Sequence, residues 1–142
     1  MDVVILPLHL LILGFVGWNI FQADHLGFKW MRGTRAMLDK AVLEKYHLRV
    51  WIGLLGMIAT GLLLFWPMRE YLLARPQFYL KMAFVATLII NAFVIGHLQT
   101  KATRSTYANL SFKEKLPLFI SGAVSTCCWL GAAITALFLV QD

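Results

Sequence analysis

Four runs of about twenty apolar residues dominate this chain, and they constrain its fold more than any other feature. A helix needs roughly 20 mostly apolar residues to cross a bilayer. Residues 3–22, 48–68, 78–98 and 116–140 each meet that requirement. The chain of 142 residues is 60% hydrophobic and 14% charged, with ten Phe and five Trp. A soluble domain this small cannot bury so much apolar surface. The expected fold class is therefore an all-α integral membrane protein: one four-transmembrane-helix bundle over residues 1–142. The first run has no basic leader and no small-residue cleavage pattern, so it reads as a retained helix.

The stretches between the runs give the orientation. The first carries Lys29, Arg32, Arg35, Lys40 and Lys45, and the third carries Lys101, Arg104, Lys113 and Lys115. The short second connection has Arg69 and Arg75. Basic loops favour the cytoplasm, so connections one and three are expected there, with both termini outside. The formal charge of +6 then implies contact with an anionic cytoplasmic leaflet, and no nucleic acid. Compact size and short connections suit a bacterial inner membrane. Within connection one, Met37, Leu38, Ala41, Val42 and Tyr46 recur at helical spacing, which predicts an amphipathic interfacial helix over 35–47. Ser111 and Glu114 have the spacing of a capping box at the start of the fourth helix.

Cys127 and Cys128 are adjacent. Neighbours in a helix do not form an ordinary disulfide, so no disulfide framework is expected. No Asp or Glu falls inside a proposed span, and carboxylate relays are the usual mark of proton-coupled transport. Transport therefore ranks last among the readings. The four histidines carry what chemistry remains. His47 and His97 are equally far from Leu72 at the centre of the second hairpin, so they share one level near the cytoplasmic interface. His25, beside Asp24, reaches the same face. His9 lies alone, roughly 10 Å into the outer half at 1.5 Å per residue. Lys81 is the polar residue expected at its level. Asn19 and Asn91 lie deeper, toward the cytoplasmic half, and are placed to bond to each other across helices one and three.

Imidazole ligates haem iron and divalent transition metals, and a flat macrocycle fits between membrane helices. The leading expectation is a haem b protein with a redox role, either electron transfer or porphyrin/quinone oxidation, with a quinone or another membrane redox partner. His47 and His97 are the first choice of iron ligands, with His9, Asn19 and Asn91 lining the cofactor site. His9 and Lys81 form a second, catalytic pair that holds a carboxylate. Two alternatives stand beside it. One is a non-haem divalent metal held by His47, His97, His25 and Asp24. The other is a non-catalytic anchor or assembly subunit that packs through the small residues of the fourth helix. A homo-oligomer is compatible with each.

The "LH" early in the first run, "TG" late in the second and "RPQFYLKMAFVATLI" opening the third resemble a superfamily of helical membrane proteins. It contains the HemJ-type protoporphyrinogen oxidases and the CopD-like membrane domains. The resemblance implies haem b, porphyrinogen oxidation with electrons passed to the respiratory chain, and a functional His and Lys at His9 and Lys81.

Overall fold

A computed structural model describes residues 2–141, without the side chains of Asp2, Val140 and Gln141. It contains four long helices: α1 (Asp2–Met31), α2 (Lys40–Leu73), α3 (Pro76–Arg104) and α4 (Phe112–Gln141), with one 3₁₀ turn at Tyr107–Asn109. All four are long and apolar enough to cross a membrane. The 34 residues of α2 extend about 51 Å at 1.5 Å each. That exceeds the roughly 30 Å of bilayer hydrocarbon, so the helix ends project beyond it.

Local chemistry sets the helix ends. Gly33 has φ of 76°, a left-handed conformation that glycine adopts without a Cβ clash. Around it, Gly33 N–H bonds to Trp30 O and Thr34 N–H to Lys29 O, each at 3.1 Å. This paired stop closes α1. Asp39 caps α2, its carboxylate accepting from the Ala41 N–H at 2.9 Å. Pro76 occupies the first turn of α3, where its missing N–H costs nothing. At α4, Glu114 accepts from the Ser111 backbone N–H at 2.9 Å. The Ser111 hydroxyl turns to the same carboxylate at 3.0 Å, so one arm of the capping box forms.

No separate interfacial helix forms over 35–47. Residues 35–39 are bend and irregular chain, and 40–47 are the first turns of α2. The apolar spacing misleads because it runs unbroken into the span, while Asp39 alone provides the start signal. Leu38 and Leu43 point into a small core with Trp30, Ala102 and Leu110. Trp30 Nε1 donates to Ser105 O at 3.0 Å, and Leu38 N–H donates to Ala102 O at 2.9 Å. Connections one and three are thus packed together at one end of the bundle, the basic end.

The closest packing is of α1 on α2 and of α3 on α4, with the two hairpins meeting along α2–α3 and α1–α4. Glycines seat side chains from the facing helix. Val16 covers Gly53, Ile12 lies at Gly56, Trp129 covers Gly17, and Phe84 covers Gly131. Gly53 and Gly56 of α2 are therefore filled by α1 side chains and give no clearance there for a flat cofactor. Large apolar side chains such as Leu11, Leu62, Trp66 and Ile90 face outward, as a lipid-facing surface requires.

Candidate functional site

Polar side chains gather at three levels. The first surrounds His9. Its Nδ1 lies 2.7 Å from Thr60 Oγ1. The Thr60 hydroxyl also lies 2.7 Å from Gly56 O, with a longer approach of 3.3 Å to Met57 O. A backbone carbonyl only accepts, so the hydroxyl hydrogen goes to Gly56. Thr60 must then accept from His9 Nδ1–H. The neutral ring carries its lone pair on Nε2. Lys81, half-buried on α3, lies within electrostatic reach of His9. It has no carboxylate partner among the described residues. Lys81 is the residue expected at the level of His9; Thr60, the residue that bonds it, is not expected from the sequence. The signal was present: Thr60 follows Gly56 by one helical turn and precedes Gly61, which lies against the His9 ring.

The second level is an interhelical cleft of about 60 Å³ at the junction of all four helices. Asp24, His47, Asn91 and Ser125 line it among apolar neighbours. His47 Nε2 accepts from Trp51 Nε1–H at 3.0 Å, which puts its ring hydrogen on Nδ1. The ring packs against Gly96. Asp24 Oδ2 accepts from Thr126 Oγ1 at 2.7 Å, tying α1 to α4.

The third level joins α3 to α4. Asn91 Nδ2 donates to Ser121 O at 2.9 Å, and Ser121 Oγ donates to Asn91 Oδ1 at 2.8 Å. Both residues are buried. Asn19 donates to Phe15 O within its own helix at 2.8 Å, leaving its Oδ1 without a partner among the described residues. The sequence-derived pairing of Asn19 with Asn91 across α1 and α3 is replaced by these bonds.

His97 and His25 lie outside this arrangement. His97 follows Gly96 and turns to the exposed surface, while Gly96 takes the position facing His47. His25 is exposed and stacks beside Phe21 at 6.3 Å. Among the described residues, no three His, Cys, Asp or Glu side chains cluster closely enough to hold a metal ion. The expected set of His25, His47, His97 and Asp24 is thus dispersed.

A haem between His47 and His97 does not fit. The Nε2 of His47 is spent on Trp51, His97 faces outward, and the cleft of about 60 Å³ is far below the roughly 300 Å³ or more of a cofactor pocket. The donor chemistry at His9 would suit a bond to haem iron. Its Nδ1 is anchored by a hydrogen bond, as metal-bound imidazoles usually are, and its Nε2 retains the lone pair.

Fold and site together define a four-helix protein able to span a membrane, with the Thr60-anchored imidazole of His9 near Lys81, a cation without a carboxylate partner among the described residues. Comparison with protein-family models, curated proteins and solved structures gives no match.

Proposed function

We propose that this chain is an integral membrane protein that binds haem b in a redox role, with His9 as the residue at the iron. One observation carries this reading: the Thr60 hydroxyl anchors His9 through Nδ1, leaving Nε2 as the ligating nitrogen. Lys81 supports it, since a cation without a carboxylate partner among the described residues suits a propionate. When bound, haem supplies one-electron exchange with a quinone or a membrane redox partner. His9 would hold the group, with Thr60 orienting His9 and Lys81 pairing with the acidic edge. The same chemistry admits a porphyrin substrate, as the resemblance to HemJ-type oxidases implies.

The protein is assigned to a bacterial inner membrane, with the basic end at the anionic cytoplasmic leaflet and both termini outside. The test is retention of haem by detergent-purified protein supplied with haem during expression. A Soret band that stays with the protein through size exclusion supports the assignment. Haem-free protein under those conditions overturns it.

A further inference from the structure

The cleft between the hairpins is chemically two-sided. Tyr46, His47, Asp24 and Gln99 line it towards the basic end, while Val16, Ile20, Leu54 and Leu88 form an apolar floor. Gln99 lies roughly 7.5 Å along the axis from the end of α3 at Arg104. The volume of about 60 Å³ admits a few waters, at roughly 10–15 Å³ each.

Hydrogen-bonding capacity is unspent on two neighbouring walls, α1 and α2. With Nε2 of His47 accepting from Trp51, the Nδ1–H has no partner among the described residues. Asp24 Oδ2 is taken by Thr126, and Oδ1 has no partner there either. Neither atom is among the fully enclosed polar atoms without a partner in the described residues, so both are reachable by water. Water satisfies both at little entropic cost.

We propose that this cleft is a one-sided water vestibule, in which water enters from the basic end, bridges the His47 Nδ1–H to the Asp24 carboxylate, and stops at the Leu54 floor. Asp24 is its proton-exchanging group: a proton from the water chain adds to a carboxylate oxygen and leaves by the same route. The titratable groups lining the cleft with it are His47 and Tyr46 of α2; α3 and α4 contribute only the neutral Leu88, Asn91, Ala92, Ile95, Gln99 and Ser125. His9 lies beyond the floor, roughly 10 Å from Val16 along α1. The vestibule therefore gives proton access to the bundle interior from one membrane face only, whatever His9 binds.

Water-edited solid-state NMR of the full chain in lipid bilayers, labelled at Asp, His and Leu, tests the proposal. Magnetisation from mobile water is expected to reach Asp24 and the His47 ring as fast as it reaches Asp39, and several-fold faster than Leu54. Transfer to Asp24 and His47 as slow as that to the lipid-facing Leu55 overturns it. The floor is tested in proteoliposomes containing a pH dye. Leu54→Asn is expected to raise proton leak several-fold above that of Leu55→Asn, its outward-facing neighbour. Equal leak in the two variants contradicts a floor at Leu54.

Discussion

His9 and Thr60 form a one-way hydrogen bond. The threonine hydroxyl faces the Gly56 carbonyl at 2.7 Å and the His9 ring at 2.7 Å. Only the ring can donate across the second contact, so one neutral tautomer is selected. Thr60→Val removes the acceptor and leaves a ring N–H unpaired, whereas Thr60→Ser keeps it. Interhelical hydrogen bonds in membranes contribute about 0.6 kcal/mol on average and up to about 1.7. Thr60→Val is expected to destabilise by about 1 kcal/mol in a denaturant titration. ¹⁵N NMR of labelled histidine should show His9 protonated at Nδ1 in the parent and in Thr60→Ser, and mixed tautomers in Thr60→Val.

The glycines divide by what faces them. A Cβ at Gly131 would lie 2.7 Å from Phe84 Cζ, while one at Gly122 would meet nothing within 4 Å. Gly131→Ala forces the ring to shift and should cost about 1–3 kcal/mol. Gly122→Ala should be neutral or stabilising by up to about 1 kcal/mol, because alanine favours helix. Thermal unfolding in one detergent compares the two.

The Asn91–Ser121 pair holds α3 on α4 by two bonds in the buried core. Ser121→Ala removes the hydroxyl donor but leaves the backbone acceptor, so it should cost about 1 kcal/mol or less. Asn91→Leu removes both bonds and must fit a branched apolar group beside Ser121, so the larger loss is expected there. A double mutant that loses no more than Asn91→Leu alone would show that the residues act as one unit.

Composition and run length made the four helices legible, because hydrocarbon accepts little else of that length. The start of α2 was not, since the apolar spacing of residues 37–46 continues into the span and Asp39 is a single-residue signal. Depth along the helices was legible as well. Counting from the hairpin centre placed His47 and His97 at one level, and counting from the helix starts put His9 at the level of Lys81, which lies within its electrostatic reach. Direction around the helix was not. Neighbouring residues point about 100° apart, so Gly96 faces His47 while His97 looks outward. Thr60 escaped notice because it is neutral and sits among small packing residues.

The basic end offers a separate check on orientation. Lys113 and Glu70 lie at opposite ends of the bundle, the first in the opening turn of α4 and the second in the last turn of α2. Single cysteines placed there, in a chain with Cys127 and Cys128 replaced by serine, should label from opposite sides in intact bacterial spheroplasts. The position-70 cysteine is expected to react with a membrane-impermeant maleimide and the position-113 cysteine to be protected. The reverse pattern would invert the assigned topology.

The most direct test is the absorption spectrum of haem-supplied, detergent-purified protein, oxidised and then reduced with dithionite, beside its His9→Ala and His97→Ala variants. A Soret band with sharp bands on reduction is expected in the parent, with their loss in His9→Ala and their retention in His97→Ala. A parent spectrum without haem, or a band that survives in His9→Ala, would contradict His9 as the residue at the iron.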